Sequence, residues 1–333
     1  MGDSTIASGN RYTSMGYTTK ASGAFSTAMG FRSTASGNGS TAIGDSTLAS
    51  GIRAIAIGRN TKATGDYFTA MGFYTIASGN QSTTMGISTL AGGSNSTSMG
   101  EITQAMGRAS TALGYYTKAT KDYSTAMGYN RSALGVNSTA TGSNTFAYGI
   151  NAFSAGLSTK ASGDNSAAFG HGTTARAYLS IAMGNYNDSI ATSNNDYYVP
   201  TDPLLILGNG SSDAARSNAL VVYKNGNTDI NGYTQLGEMS PAIKMKKLIG
   251  TSAATQGTLV TIPHGLIRSK IIGVLVLLNY DAAGGDIPAS YLDVAGYEYN
   301  WQVTNTDINI YTKAGNSINI LSRPVRILIT YEE

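Results

Sequence analysis

The chain of 333 residues has no cysteine, only six prolines and few charged side chains. The lack of cysteine excludes disulfides, thiol nucleophiles and cysteine-ligated metal sites. Charged residues make up 12% of the sequence and the formal net charge is +3, which predicts no surface for nucleic acid or for an anionic membrane. No apolar run approaches the length of about 18 residues that a spanning helix needs, so no membrane span is predicted.

Glycine, in contrast, is abundant and periodic. Steps of seven along residues 2–184 give 27 positions, of which 25 are glycine, and the exceptions are Lys121 and Ala177. Alanine is the usual residue two places before each of these positions along residues 7–182. A unit of seven residues is too short for a helix and a turn, and it predicts a short β-strand followed by a tight corner. We expect glycine at the corner, because it adopts a positive φ without strain.

The residue just before each glycine differs between successive units, so that the full repeat is a coil of two unlike arms with seven residues each. In one arm this residue is mostly serine or threonine. In the other arm it is apolar and forms a row, here named the apolar stripe, that consists of Met15, Met29, Ile43, Ile57, Met71, Met85, Met99, Leu113 and Met127. Strand side chains alternate between faces, which places the alanines inside a thin roll and the stripe outside. A stripe of this length predicts burial against other copies of the chain, and we expect three-fold packing.

The repeat resembles that of a known family. Residues 26–30 and 40–44, with the sequences STAMG and STAIG, resemble the S-V-A-I-G motif of YadA-like heads in trimeric autotransporter adhesins. Residues 19–23, with the sequence TKASG, resemble the second arm of that repeat. The resemblance covers residues 2–184 and implies a left-handed parallel β-roll, or solenoid, that assembles as a homotrimer.

The sequence predicts an all-β protein of three regions: the β-roll over residues 1–184, a linker and β neck over residues 185–240, and a β-sandwich tip over residues 241–333. Short strands at a spacing of about 8–12 residues are typical of a β-sandwich. In the tip they are expected at residues 258–262, 270–279, 297–304, 307–313, 317–321 and 325–331. This arrangement resembles the β-sandwich knobs that cap viral and phage fibres.

The sequence suggests no catalytic residue, no metal site and no cofactor. The two histidines, His171 and His264, lie in predicted turns, and neither has a second ligand at metal-binding spacing. Residues 208–210 lack the lysine and hydroxyl residue that complete a phosphate loop. A glycosidase needs paired carboxylates, and nothing singles out Asp286 and Asp293 in the tip for that task. We therefore expect that the protein is not an enzyme.

Aromatic residues are the more informative feature, since tyrosine alone occurs 21 times. Rings at the corners of the roll suit stacking on sugars or contact with a receptor, and the alternative is that they stack on one another or between subunits. The corner residues in question are Tyr17, Phe31, Phe73, Tyr74, Tyr115, Tyr116 and Tyr129. In the tip, Tyr297, Tyr299 and Trp301 share one face of a predicted strand, where packing in the core is the competing interpretation.

The first functional hypothesis is a trimeric extracellular attachment fibre from the tail of a phage or from a contractile injection-type particle. Its expected partners are further copies of itself, a cell-surface receptor such as a glycan, and a baseplate or anchoring protein bound through a segment N-terminal to the repeats. The alternative is the head of a bacterial surface adhesin of the trimeric autotransporter type. An ice-binding solenoid has the threonine row that includes Thr27 and Thr41 in its favour, but that row lies beside methionine instead of a second threonine row.

Overall fold

The computed structural model describes residues 2–235, 240–280, 285–289 and 294–333. The chain forms two compact units, Met1–Asp229 and Ile230–Glu333. The first unit is a β-solenoid of about 13 turns and the second contains two antiparallel sheets. The fold is therefore all-β, as the sequence predicts, and its described helices are two single 3-10 turns.

Each coil of the solenoid has a long arm and a short arm. Most long arms are strands of five residues: β2 (Thr13–Tyr17), β4 (Thr27–Phe31), β6 (Thr41–Asp45), β8 (Ile55–Arg59), β10 (Thr69–Phe73), β12 (Thr83–Ile87), β14 (Thr97–Glu101), β18 (Thr139–Ser143), β20 (Phe153–Leu157), β22 (Ala167–His171) and β24 (Ile181–Asn185). Most short arms are strands of two residues: β1 (Ile6–Ala7), β3 (Lys20–Ala21), β5 (Thr34–Ala35), β7 (Leu48–Ala49), β9 (Lys62–Ala63), β11 (Ile76–Ala77), β13 (Leu90–Ala91), β15 (Gln104–Ala105), β19 (Phe146–Ala147), β21 (Lys160–Ala161) and β23 (Thr174–Ala175). In the middle of the solenoid both arms run together in two strands of nine residues, β16 (Thr111–Ala119) and β17 (Thr125–Ala133).

Successive coils pair in parallel with a step of one full repeat, as the sequence predicts. Thr27 lies opposite Thr41, and Ala28 lies opposite Ala42. From Ala21 onward the alanines of both arms point into the roll and are buried, as are most of the serine and threonine side chains that immediately precede the strands. Small side chains at nearly every interior position make the roll thin, which confirms the predicted interior; Phe68 and Arg131 are the large exceptions. The handedness of the winding stays a prediction.

The glycines do not form the corners, contrary to the expectation from the sequence. The chain turns two residues later, where Thr18, Phe25 and Arg32 have φ angles of 52°, 56° and 52°. The long-arm glycines lie within strands and have positive φ, 106° at Gly30, as expected for glycine. They are also needed for a second reason, because a Cβ atom on Gly30 would lie less than 3.0 Å from the carbonyl oxygen of Gly44 in the next coil. The glycine rows therefore allow neighbouring coils to stack at strand distance, and the turn itself is left to residues of many kinds.

The ladder of the solenoid continues beyond residue 184 into β25 (Pro203–Asn209), which pairs in parallel with β24. A further strand, β26 (Asn218–Tyr223), pairs antiparallel with β25, and β27 (Thr228–Ile230) belongs to the same sheet. Asn187 is fully buried, and its side chain accepts the Thr174 N–H (2.7 Å) and donates to the Thr174 carbonyl (3.1 Å). The Asn187 amide makes the hydrogen bonds to Thr174 that the backbone of a further coil would make. The segment predicted as a linker therefore caps the solenoid.

The second unit has a four-stranded sheet in the order β28-β34-β30-β31 and a three-stranded sheet in the order β29-β33-β32. Their strands are β28 (Ile243–Thr251), β29 (Leu259–Pro263), β30 (Ile271–Asn279), β31 (Asp286–Pro288), β32 (Tyr299–Val303), β33 (Asp307–Thr312) and β34 (Pro324–Glu332), with 3-10 turns at Arg268–Lys270 and Ile318–Ile320. Both sheets contribute to one core that includes Ile262, Val276, Leu278, Ile308, Ile310, Val325 and Ile327. Two sheets around a shared core form the predicted β-sandwich.

Three features of the tip differ from the prediction, and the first is the short strand β31, which lies outside all the predicted strands. Residues 317–321 were expected as a strand, but Ile318–Ile320 is a 3-10 turn held by the Ser317 hydroxyl, which donates to the Lys313 carbonyl (2.7 Å). Alternating isoleucines fit this turn equally well, because Ile320 is fully buried while Ile318 is exposed. The strand β28 escaped prediction because its KMKK sequence has no clean alternation, although it pairs along the whole of β34.

Candidate functional site

The apolar stripe runs along the long arms, one residue per coil. Strand pairing places Met15 beside Met29, Met29 beside Ile43, and so on without interruption to Leu113 beside Met127. Met15 and Met127 at its ends are 45% and 39% exposed, and the side chains between them are half-buried by their neighbours in the row. Nine apolar side chains therefore line one outer face of the solenoid.

Beyond Met127 the same row continues through smaller and larger side chains. Thr141 lies beside Met127 and Ala155 beside Thr141, and Phe169 follows in the next coil. Ala155 shares its strand with Phe153 in the neighbouring threonine row, and the Phe153 and Phe169 rings have centroids 5.4 Å apart. The register is unbroken here, so the side-chain types change while the outer face of the long arm is retained.

A second outer feature, here named the aromatic edge, consists of the aromatic residues that lie one or two places after the long-arm glycines. The Tyr17 and Phe31 rings stack with centroids 5.4 Å apart and planes 9° apart, and Tyr115 and Tyr129 stack at 5.4 Å and 8°. All the aromatic residues predicted at the corners of the roll lie on this edge and are exposed, namely Tyr17, Phe31, Phe73, Tyr74, Tyr115, Tyr116 and Tyr129. The rings thus stack on one another and still present their outer surfaces to solvent.

The aromatic edge also has a longer period that the seven-residue pattern conceals. Phe31, Phe73 and Tyr115 are each separated by three coils, or about 14 Å at the usual strand spacing. Guanidinium groups cover the first two of these rings, with Arg32 4.9 Å from the Phe31 centroid and Arg59 5.5 Å from that of Phe73. The pKa of Tyr115 is raised, first by loss of hydration and then by its neighbours Tyr116 and Glu101, so its hydroxyl remains neutral at physiological pH.

Comparison with known protein families supports the geometry of the coils. The family profile of the YadA head domain repeat, which spans two copies of the repeat, matches residues 13–33, 21–47, 49–75, 91–116, 105–130, 132–153 and 161–187. The solenoid belongs to the YadA head family. No curated protein matches the chain.

Membership of the YadA head family describes the solenoid as an adhesin-type structural repeat instead of an enzyme domain. The matches of the family profile end at residue 187 and therefore do not extend into the tip. Throughout the described ranges, no helix is both long and apolar enough to cross a membrane. The described residues likewise contain no cluster of three or more histidine, aspartate or glutamate side chains suited to a metal ion.

The aromatic residues singled out in the tip lie toward the core instead of the surface. Tyr299 is only 3% exposed, and its hydroxyl donates to the carbonyls of Val276 (3.0 Å) or Ile287 (2.8 Å). Burial raises the pKa of Tyr299 far above its usual range. Tyr297 and Trp301 pack against the same core from its margin. Core packing therefore accounts for this alternating set, and Tyr299 offers no ring face to a receptor.

Both histidines have structural partners. The Nε2 atom of His171 lies 3.0 Å from the hydroxyl of Tyr186, whose ring lies beside the imidazole with its plane tilted by 54°. His264 is fully buried; its Nδ1 accepts the Leu266 N–H (3.1 Å), so that Nε2 is the donor toward the Thr304 carbonyl (3.2 Å). Each imidazole is therefore used to fix a turn.

Arg131 is the polar residue that sequence reasoning missed. It stands in an interior row of threonines, opposite Thr117, and is fully buried. Its Nη1 donates to the Thr145 hydroxyl (3.2 Å), whereas Nε and Nη2 reach no acceptor among the described residues. Loss of hydration lowers the pKa of this guanidinium. The signal in the sequence was a single arginine at a position where the other coils carry threonine or serine.

Proposed function

We propose that the chain forms part of a homotrimeric attachment fibre at a bacterial cell surface, in which three solenoids pack along their apolar stripes. The membership of the solenoid in the YadA head family supports this function. The single observation that carries the assembly is the unbroken row from Met15 to Met127, which leaves apolar side chains on one face of nine consecutive coils. Contiguous apolar surface of this kind marks a site of protein association.

The opposite face of the roll supports the same orientation. Short arms present residues such as Lys20, Ser22 and Lys62, which are partly or largely exposed and suit contact with water. A solenoid with one apolar and one polar broad face buries the first and hydrates the second when copies surround a common axis. The aromatic edge then lies between the two faces, where stacked rings remain available to a receptor.

The surface adhesin replaces the phage or injection-particle fibre as the primary proposal. YadA head repeats favour an adhesin, and no comparable family match supports a tail fibre or a partner in a baseplate. The residues proposed for receptor contact are those of the aromatic edge, Tyr17, Phe31, Phe73, Tyr74, Tyr115, Tyr116 and Tyr129. Because the groups at Phe31, Phe73 and Tyr115 recur every three coils, one long receptor molecule is able to engage several of them at once.

The assembly is tested by placing charge in the stripe. Met29, Ile43 and Met71 are replaced together by aspartate, and the mass of the particle is measured by light scattering. We expect the trimer to dissociate into monomers, because three buried carboxylates per chain would lack partners. The matched control replaces Ser36, Ser50 and Ser78 on the short arm by aspartate and leaves the mass unchanged.

An unaltered trimer in the stripe variant would contradict the proposed axis, and a wild-type monomer would contradict the proposed assembly. The attachment function is tested separately by measuring binding of the labelled chain to a panel of bacterial and epithelial cells. An adhesin binds epithelial cells as a trimer and binds them weakly as the stripe variant. Binding confined to one bacterial strain would favour the fibre of a phage or injection particle.

A further inference from the structure

The outer face of the three-stranded sheet in the tip carries uncharged polar side chains around an exposed tyrosine. Strand pairing aligns Leu259, Tyr311 and Asn300 in one row across the sheet. The next row across the same face consists of Thr261, Asn309 and Gln302. Tyr311 is 36% exposed and Leu259 is 49% exposed, so an apolar ring and a branched side chain form a platform beside three amides.

Hydrogen bonds across this face hold its polar groups in place. The Thr261 hydroxyl donates to Asn309 Oδ1 (3.0 Å), Asn309 Nδ2 donates to the Tyr311 hydroxyl (3.4 Å), and that hydroxyl donates to Gln302 Oε1 (3.4 Å). Asn300 Oδ1 accepts the Trp301 N–H (2.8 Å), which fixes the orientation of the Asn300 amide. The two long bonds at Tyr311 are weak, because hydrogen bonds lose strength at such distances, and ligand hydroxyl groups can replace them at little cost.

One end of the face deepens into a concavity of about 500 Å³. Tyr311 and Asn300 line it together with Glu298 and Lys313. The Glu298 carboxylate accepts a hydrogen bond from Asn316 Nδ2 (3.0 Å) and forms an ion pair with Lys313 (3.3 Å). The asparagine bond and then the lysine lower the pKa of Glu298, so that a fixed acceptor stands in the concavity with its charge neutralised by the neighbouring ammonium.

We propose that this face binds a neutral saccharide. An exposed aromatic ring matches the apolar C–H face of a pyranose, and amides offer both a donor and an acceptor to adjacent sugar hydroxyls. The two rows of the face contain no formal charge, and the nearby Glu298–Lys313 ion pair has no net charge, so the face offers no unpaired cation to an acidic sugar. The concavity lies within the usual size range of ligand pockets, roughly 300–1,000 Å³.

This inference gives a chemical class to the receptor and rests on the proposed function of the chain as an attachment fibre. It adds a saccharide site in the tip to the receptor contacts proposed for the aromatic edge of the solenoid. A different occupant of this face would give a different result. If a second copy of the chain bound here, replacing Tyr311 would change the mass of the particle. A saccharide leaves the mass unchanged.

The test applies the full-length chain to an array of neutral and sialylated oligosaccharides and then titrates the best neutral oligosaccharide by calorimetry. Tyr311→Ala is expected to weaken binding at least tenfold, because it removes the stacking surface. Tyr311→Phe retains the ring and is expected to lose no more than about threefold, through the single hydroxyl it lacks. Gln302→Ala is expected to lower the affinity by a factor between about three and ten. The control is Tyr197→Ala, which removes a 62% exposed tyrosine from the segment that caps the solenoid and is expected to leave the affinity unchanged.

The inference is overturned if no neutral glycan binds, if only sialylated glycans bind, or if Tyr311→Ala and Gln302→Ala both bind as the wild type does. A change in particle mass on Tyr311→Ala would overturn it in favour of a contact between subunits. Light scattering and cell binding on the same samples separate this outcome from failure of the proposed function, because a trimer that binds cells without binding neutral glycans rejects the saccharide site alone.

Discussion

The two units of this chain bury different kinds of side chain and pair their strands over different distances. The solenoid interior consists of alanine, serine and threonine, whereas the tip has a core of isoleucine, valine and leucine. Solenoid strands pair with the equivalent strand of the next coil, while β28 in the tip pairs with β34 at the far end of the unit. The comparison shows that a sheet can be stabilised by close backbone stacking of identical coils or by a thick apolar core.

The difference is sharpest at glycine residues within strands. In the solenoid, the space next to most of the repeat glycines is filled by the backbone of the next coil, as at Gly44, whose Cβ would meet the Gly58 carbonyl. In the tip, the nearest atom to a Cβ on Gly273 would be the Thr330 Cβ at 3.8 Å, an ordinary contact. Repetition therefore makes the solenoid intolerant of a single methyl group, since backbone atoms cannot move aside as a flexible side chain can.

The largest expected effect is that of Gly44→Ala on stability, with Gly273→Ala as its matched comparison in the tip. Gly44→Ala places a methyl group against the Gly58 carbonyl at a φ of 133° and should lower the free energy of unfolding by more than about 4 kcal/mol. Gly273→Ala should change it by less than about 1 kcal/mol, because the site has room and an alanine loses less chain entropy on folding. Far-UV circular dichroism follows the solenoid, and fluorescence of Trp301, the only tryptophan, follows the tip.

A third variant separates steric contact from backbone conformation. Gly226, in the turn between β26 and β27, also has a positive φ, of 89°, but no atom lies within 4 Å of the position that a Cβ would take. Gly226→Ala should therefore cost only about 1 kcal/mol, the usual penalty for a left-handed alanine. Equal losses for Gly44→Ala and Gly226→Ala would show that coil stacking contributes little, and the contrast between the units would fail.

An intermediate effect, of opposite sign, is expected at the one large charged side chain inside the solenoid. Arg131→Thr restores the interior threonine row and should raise the free energy of unfolding by about 1–3 kcal/mol, because the two buried guanidinium nitrogens without acceptors are removed. Chemical denaturation followed by circular dichroism measures the change. Arg131→Lys keeps a buried cation and should give no such gain. A destabilised Arg131→Thr protein would mean that the arginine stem is required to fill the roll.

The smallest effect is a pH dependence confined to the tip. The folded pKa of Glu298 lies below its ordinary value of 4.5, first because Asn316 donates to its carboxylate and then because Lys313 lies nearby. The ionised carboxylate therefore stabilises the tip above that value, and this stabilisation is lost as the pH falls through the lower, folded pKa. Trp301 fluorescence should show a modest acid destabilisation that Glu298→Gln reduces. An unchanged acid profile in the variant would remove Glu298 as its source.

Much of the solenoid follows from the sequence because its contacts are local and repeated. The step from coil to coil, the buried alanines and the outward row of methionines all result from strand alternation within one coil. The corners were assigned incorrectly, since the glycine at position 30 and the turn at Arg32 are two places apart and both recur once in every coil. A period alone cannot tell a residue that turns the chain from a residue that makes room for its neighbour.

In the tip, local alternation was less informative. It identified Tyr297, Tyr299 and Trp301 as one face of a strand but not which face meets the core. The platform around Tyr311 was missed because its members come from three strands that are neighbours only in the folded sheet. The 3-10 turn at Ile318–Ile320 shows the same ambiguity, since burial of one isoleucine satisfies either a strand or a turn.

The sequence by itself determined that this chain contains an all-β solenoid of YadA head repeats, because each coil is specified by residues within one period and its nearest copy. Only the tertiary structure decided why the glycines are required, where Arg131 is buried and which tyrosines of the tip reach solvent. Those properties depend on atoms that approach one another across coils or across antiparallel strands. Such distances are set by the packing of the whole unit, which a local pattern does not contain.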